Sequence, residues 1–247
     1  MCDTCSNPSR RSFLKTAGFG LVALAVPRIL FGSEEKKESK EAKPTSKTST
    51  GPKLTPDEAL ARLLEGNRRF VQNRAFHPNE SPERRAVLAT GQSPFVAILA
   101  CADSRVAPEI LFDHGLGDIF DVRVAGNIVE DAGSGSFEYA VEHLGVPLIV
   151  VLGHERCGAV KSALEVLGGG GEAPGHIAEL VRKLKPAIEK SKDQPGDKAE
   201  NAMRENARRN AAELAGLEPI LKEKVKEGAL KVVAMRYDLD TGVAELL

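Results

Sequence analysis

Apolar residues recur with two periodicities along the chain, and the two alternate. Thr55-Pro56-Asp57-Glu58 is typical of a helix start, and the apolar positions after it keep helical spacing as far as Phe70. Short apolar runs predict strands at 95–100, 119–124, 147–152 and 230–237, and an edge segment after the turn at 240–242. Between the strands, the sequence predicts helices at 108–112, 133–144, 157–167, 177–190 and 198–226. This order indicates an α/β fold with a mostly parallel central sheet flanked by helices.

The first 32 residues resemble an export signal. Ser9-Arg10-Arg11-Ser12-Phe13-Leu14-Lys15 is a twin-arginine pattern, and an apolar stretch that ends at Phe31 follows it. Pro27 and Arg28 interrupt this stretch, which is also short for a membrane span. We therefore predict a twin-arginine signal peptide at 1–32 and a periplasmic or otherwise exported protein. The alternative is an N-terminal anchor that is never cleaved.

Residues 33–53 differ in composition from the chain that follows them. They are rich in Lys, Glu, Ser, Thr and Pro, which predicts a disordered linker, whereas residues 54–247 are long enough for one domain with its own core. Of the 34 basic and 35 acidic residues in the full chain, 30 and 34 remain once the signal is removed. No basic stripe is left to favour nucleic acid as a partner, and we expect no stable membrane span after processing.

Two short motifs carry candidate metal ligands, and each directly follows an apolar run. Cys101-Ala102-Asp103-Ser104-Arg105 comes after the run at 95–100, and His154-Glu155-Arg156-Cys157 comes after the run at 147–152. Neighbouring parallel strands end at the same edge of a sheet, so these side chains are expected to meet there. Two thiols, one imidazole and one carboxylate form a ligand set that suits zinc.

The cysteine count leaves one other interpretation of these motifs. Cys2 and Cys5 would be removed with the signal, so that Cys101 and Cys157 remain. In an oxidising compartment these two could form a disulfide. A disulfide needs neither the histidine nor the aspartate that accompany them, and the twin-arginine route carries proteins that have already folded around their metal. The pattern therefore favours Zn²⁺.

The aspartate and the arginine of the first motif indicate catalysis. Zinc lowers the pKa of a bound water, so that hydroxide is available near neutral pH. Two thiolate ligands donate charge and weaken this effect, so such a site gains from a carboxylate that orients the remaining proton. Asp103 lies two residues from Cys101, and Arg105 can hold it ionised through a bidentate pair. Taken singly, Asp103 as a helix cap and Arg105 as a surface charge are the alternatives.

Together the two motifs resemble the zinc signature of the β-class carbonic anhydrases. The resemblance runs from about residue 54 to the C-terminus and includes the ending Tyr237-Asp238-x-x-Thr241-Gly242. It implies Zn²⁺ as cofactor, with Cys101, His154 and Cys157 as its ligands, and the reversible hydration of carbon dioxide to bicarbonate. Asp103 is then either the fourth ligand of a closed site or, with Arg105 as its partner, the acceptor of a hydrogen bond from the zinc-bound water.

The resemblance extends to the plant-like type of active site within this family. Gln92 and Tyr139 occupy that type's positions nine residues before the first cysteine and fifteen before the histidine, and Phe120 matches a pocket aromatic. By resemblance Gln92 hydrogen-bonds the substrate, the two aromatic rings wall its apolar slot, and the Gly158 N–H orients the product. Ile98 replaces the tryptophan of the other type, which implies an open, tetrahedral site. The family also implies a homodimer or a higher homo-oligomer, in which such pocket residues reach across the interface.

Two further functions remain compatible with the sequence. Ala125 stands where the plant-like pocket often carries a bulkier residue, and a wider slot suits carbonyl sulfide or carbon disulfide, which relatives of this fold hydrolyse. The other alternative is a non-catalytic binding module stabilised by zinc. The presence of Asp103, Arg105 and Gln92 argues against it, because a structural metal does not need them.

Overall fold

The computed structural model describes residues 54–247, so the predicted signal peptide and linker lie outside the described residues. The central sheet of this part has five strands in the order β2-β1-β3-β4-β5. The first four are parallel to one another, and β5 pairs antiparallel with β4. The strands are β1 (Val96–Ala100), β2 (Ile119–Arg123), β3 (Leu148–His154), β4 (Lys231–Tyr237) and β5 (Ala244–Leu246). The predicted α/β fold with a mostly parallel sheet is confirmed.

Eight helices accompany the sheet in the described residues. They are α1 (Pro56–Val71), α2 (Pro82–Leu88), α3 (Pro108–Leu111), α4 (Asp131–Leu144), α5 (Gly158–Leu167), α6 (Ile177–Ser191), α7 (Lys198–Ala215) and α8 (Ile220–Lys226). The sequence predicted neither α2, whose seven residues bury nothing, nor the division between α7 and α8. The single helix predicted at 198–226 was wrong, because Gly216 ends α7 and Pro219 cannot continue a helical hydrogen-bond ladder.

The N-terminal signals of α1 are those that the sequence indicated. The Thr55 hydroxyl accepts a hydrogen bond from the Glu58 N–H, and the Glu58 carboxylate accepts one from the Thr55 N–H at 2.8 Å. This capping box satisfies backbone donors that the first turn leaves unpaired, and Pro56 fits the position after it. The helix is thereby fixed at its start and can bury Leu63 against the sheet.

Both faces of the sheet are covered, and every residue of β1 and β3 is buried. On one face, α1 and α3 pack over the strands with side chains such as Leu63 and Leu111. On the other face, α4, α7 and α8 contribute Phe137, Leu214 and Leu221. Burial removes the apolar surface of each such side chain from water and stabilises the fold by about 1.5–3 kcal/mol per side chain.

The register of the sheet positions the two predicted motifs. Ala100 of β1 lies opposite Leu152 of β3 in a parallel pair, so the residues after these positions leave the sheet side by side. β3 extends two residues beyond its predicted end, and its last residue is His154. The carboxyl edge of two central strands therefore carries the first residue of each motif. In the described part of the chain, no helix combines the length and apolarity needed to cross a bilayer.

Candidate metal centre

Three predicted ligands meet at this edge of the sheet. Cys101 follows β1, His154 ends β3, and Cys157 is the residue before α5. Their ligand atoms all lie within 4.8 Å of one another, and the two Sγ atoms are 4.0 Å apart. All three residues are buried, and neither thiol is in a disulfide. The disulfide alternative is therefore not realised in this structure.

The imidazole of His154 is oriented for a metal. Its Nδ1 lies 2.9 Å from the carbonyl oxygen of Glu155, to which an N–H at this position donates. Its Nε2 faces the thiols and, among the described residues, has no hydrogen-bond partner although it is fully buried. A buried nitrogen without a partner is costly unless something else binds it. Two thiolates on a tetrahedral zinc stand about 3.8 Å apart, so the residues fit this ion.

The two thiols titrate very differently. The hydrogen bond from Cys157 holds the pKa of Cys101 well below its usual range, and the neighbouring His154 and the Gly126 N–H act in the same direction. The same hydrogen bond, together with burial, raises the pKa of Cys157. Metals bind cysteine as the thiolate, so a cation held by both sulfurs would displace the proton that raises the pKa of Cys157.

Asp103 and Arg105 form an ion pair beside the ligands. The Arg105 Nε donates to Asp103 Oδ1 at 2.9 Å and its Nη2 donates to Oδ2 at 2.7 Å. These bonds hold the pKa of Asp103 far below its usual range. Asp103 Oδ2 also lies 3.9 Å from His154 Nε2, so one carboxylate oxygen is turned toward the candidate metal position. The ion pair therefore favours the ionised form of this carboxylate.

The backbone around the first motif is held by a residue from β2. The Arg123 Nε donates to the Cys101 carbonyl at 3.1 Å, and its Nη2 donates to the Asp103 carbonyl at 2.7 Å. The loop after β2 adds the Gly126 N–H, which lies 3.3 Å from Cys101 Sγ. The sequence assigned no role to Arg123 or Gly126, because Arg123 binds backbone carbonyls, Gly126 acts through its own N–H, and neither carries a ligand atom.

The loop of the second motif is fixed by the turn between β4 and β5. The Glu155 N–H donates to the Tyr237 carbonyl at 3.1 Å, and the Glu155 carboxylate pairs with Arg236. Arg156 adopts a left-handed conformation with φ of 50° and forms a bidentate pair with Asp240. The residues between the two ligands thus pack outward onto the C-terminal turn, while His154 and Cys157 point inward.

Of the predicted substrate residues, only Gly158 is adjacent to a candidate metal ligand in the chain. Gln92 is exposed in the segment before β1, and Gly158 opens α5 immediately after Cys157. The rings of Phe120 and Tyr139 are 6.5 Å apart, between β2 and α4, and Tyr139 is 49% exposed. Phe120 packs against the cluster under α4, whereas Cys101 and Cys157 belong to the cluster under α5 and α6. Their assignments to substrate stay predictions.

Comparisons with known proteins identify the family of this chain. A family model described as carbonic anhydrase matches residues 96–244. Carbonic anhydrase 2 of Mycobacterium tuberculosis is 42% identical over 195 residues, covering 79% of this chain and 94% of the relative. The β-carbonic anhydrase CafA of Aspergillus fumigatus has a solved structure that is 28% identical with a TM-score of 0.60, over 77% of this chain and 89% of that one. A tetrameric β-carbonic anhydrase of Sordaria macrospora is 26% identical with a TM-score of 0.60, over 76% and 96%.

The chain belongs to the carbonic anhydrase family, and its relatives and structural neighbours assign it to the β class. It is thus an enzyme for the reversible hydration of carbon dioxide. Zinc is its cofactor, and the Cys101, His154 and Cys157 cluster is the group that could bind it.

Proposed function

We propose that this chain is an exported carbonic anhydrase whose zinc site is open, with Cys101, His154 and Cys157 as ligands and Asp103 outside the ligand set. The observation that carries the open site is the bidentate Asp103–Arg105 pair. A carboxylate that accepts two bonds from one guanidinium is stabilised where it stands. Moving it onto a metal would break this pair, so the arrangement favours a fourth position left for water.

The bound zinc would supply Lewis acidity, which lowers the pKa of a water at its open position toward neutrality. The residues of the chain then control how that water reacts. Asp103 Oδ2, the oxygen turned toward His154, would be the acceptor for a proton of that water and would so orient it. Arg105 keeps Asp103 ionised and therefore an acceptor at all working pH values.

The pocket for carbon dioxide is proposed to be of the plant-like type. Gln92, Phe120, Tyr139 and the Gly158 N–H are its members by resemblance. Tyr139 of α4 is half-exposed, and its ring lies 6.5 Å from that of Phe120 of the edge strand β2, tilted by 35°. Large exposed aromatic side chains at an unpaired sheet edge favour an interface with another subunit. The Sordaria macrospora relative is a tetramer, and we propose at least a homodimer here.

The proposed location outside the cytoplasm rests on the sequence alone. The pair Arg10-Arg11 with the following apolar stretch is the support, and both lie outside the described residues. Fusion of residues 1–53 to a reporter protein that is active only after folding in the cytoplasm tests this proposal. Export is expected to be lost on replacing Arg10 and Arg11 by lysine, and export that survives the replacement would contradict the twin-arginine route.

Stopped-flow hydration of carbon dioxide between about pH 6.5 and 9 tests the enzymatic proposal. We compare the zinc-loaded parent with Asp103→Asn, which keeps the shape of the side chain but loses its charge. The exposed Asp193→Asn serves as the matched control. The Asp103 variant is expected to lose about 100-fold in kcat at unchanged zinc content.

Two outcomes would overturn the proposal. A zinc-loaded parent that does not hydrate carbon dioxide would move the assignment to carbonyl sulfide, carbon disulfide or a binding module, which the same preparation can be assayed for. Full activity of Asp103→Asn would instead remove Asp103 from the mechanism while leaving the enzyme class intact.

A further inference from the structure

Two asparagines of α7 are buried where the helix packs against the sheet. Asn206 and Asn210 are 1% and 5% exposed and lie one helical turn apart on a face otherwise rich in alanine and other apolar residues. Burying two amides in such a place is costly unless their donors and acceptors are used. Each amide is therefore expected to have hydrogen-bond partners.

Both side chains bind the loop that follows β2. The Asn206 Nδ2 donates to the Gly126 carbonyl at 2.8 Å, and the Asn210 Nδ2 donates to the Asn127 carbonyl at 2.9 Å. The Asn210 Nδ2 also lies 3.1 Å from Asn206 Oδ1, which links the two amides to each other. Two consecutive carbonyls of one loop are thereby captured by one helix.

The captured residues form a turn with positive φ. Gly126 and Asn127 have φ values of 76° and 41°, so both lie in the left-handed region. Glycine adopts this conformation freely, and asparagine adopts it more often than other residues with a side chain, so both residue types suit this turn. The conformation turns the Gly126 N–H toward the metal centre, where it lies 3.3 Å from Cys101 Sγ. A continuous path of hydrogen bonds therefore runs from α7 through the loop to a ligand sulfur.

We propose that Asn206, supported by Asn210, is a positioning residue that aims the Gly126 N–H at the Cys101 thiolate and so sets how strongly this sulfur donates to the metal. The proposal rests on the zinc site of the proposed function. A thiolate that accepts an N–H bond carries less free charge, so it weakens the Lewis acidity of the metal less. Outer partners of this kind typically change metal affinity or activity by about 10–100-fold.

The first test observes the hydrogen bond directly in the full-length parent loaded with ¹¹³Cd. A scalar coupling between the Gly126 amide proton and the metal arises only through an N–H···S–Cd path. We expect this coupling in the parent and its loss in Asn206→Ser, which is too short to reach the Gly126 carbonyl. Absence of the coupling from the folded, cadmium-loaded parent would overturn the proposal without any variant.

The second test compares metal binding in variants on the same helix. Asn206→Ala and Asn206→Ser are loaded with Co²⁺, and Asn201→Ala is the matched control because its side chain binds Gln194 and Pro195 instead. We expect the thiolate-to-cobalt charge-transfer band to move to longer wavelength in the Asn206 variants alone. The metal dissociation constant is expected to rise about 10-fold in the same variants, because a thiolate without this N–H bond is more basic and protons compete better with the metal for it.

An unchanged band and affinity in an Asn206 variant that folds would overturn the proposal, as would an equal shift in Asn201→Ala. Failure of the proposed function gives a different pattern. In that case the parent shows the coupling and the charge-transfer band but does not hydrate carbon dioxide. Loss of the activity in Asn206→Ser with an unchanged spectrum would assign the asparagine a merely structural role.

Discussion

Asp121 gives the sharpest prediction about how the stability of this protein depends on pH. It lies in β2 opposite Ile98, and its Oδ1 is buried without a hydrogen-bond partner among the described residues. Burial raises the pKa of this carboxyl from 3.8 to about 7, and the charge of Glu109 adds to the effect. The charge of Arg123 lowers the pKa of Asp121, but by less than burial raises it. The folded protein therefore resists ionisation of a side chain that ionises freely once the chain unfolds.

The sign and the size follow from the two pKa values. Well below pH 3.8 the carboxyl is protonated in both states and costs no stability. As the pH rises, the unfolded state releases the proton first, so folding stability falls until the folded carboxyl also ionises near pH 7. At 1.36 kcal/mol per pKa unit, the penalty reaches about 4 kcal/mol above this range, of which about 2 kcal/mol develops between about pH 5.5 and 8.5.

The assay is urea unfolding of the zinc-loaded parent and of Asp121→Asn at several pH values and one protein concentration. The amide has the same shape and no charge to suppress. The free energy of unfolding of the variant, relative to the parent, is expected to rise by about 2 kcal/mol between about pH 5.5 and 8.5. Asp193→Asn, at an exposed position, is expected to show no such trend.

A difference between Asp121→Asn and the parent that stays flat with pH would refute this reasoning. It would mean that the carboxyl ionises in the folded protein as easily as in the unfolded one. Zinc loss at low pH does not produce the expected trend, because it affects both proteins equally and cancels in the difference.

Two further predictions concern packing and the metal. Gly66 of α1 leaves no room for a side chain, since an added methyl would overlap the Phe112 carbonyl, so Gly66→Ala is expected to lower the free energy of unfolding by about 2 kcal/mol in urea melts. Gly91→Ala, which faces open space, is the control and is expected to change it by less than about 0.5 kcal/mol. Removal of zinc with a chelator is expected to lower the thermal midpoint, because the buried cluster binds metal only in the folded state. An unaltered midpoint in calorimetry would contradict a metal held by Cys101, His154 and Cys157.

Much of the fold could be predicted because its signals are local. The strands β1 and β3 are continuous apolar runs, and α1 starts with a capping box that is visible in four consecutive residues. α2 was missed because a helix that buries no residue shows no apolar periodicity in the sequence. The break between α7 and α8 was missed because charged residues continue across it and hide Gly216 and Pro219.

At the metal centre, the positions of the ligands could be predicted from the sequence, but the groups that orient them could not. Adjacent strands lie about 4.8 Å apart, so residues that end two neighbouring parallel strands must be close, and the ligands follow from topology alone. The orientation of those ligands depends on groups that the sequence places far away. Asn206 is separated from Gly126 by 80 residues, and on a helix it resembles an ordinary surface amide. Only the alanines around it mark its face as buried, and its partner is a backbone carbonyl that no side-chain pattern encodes. Ligand side chains at strand ends can therefore be predicted from the sequence. The backbone N–H groups that modify those ligands can be identified only once the structure of the loop is known.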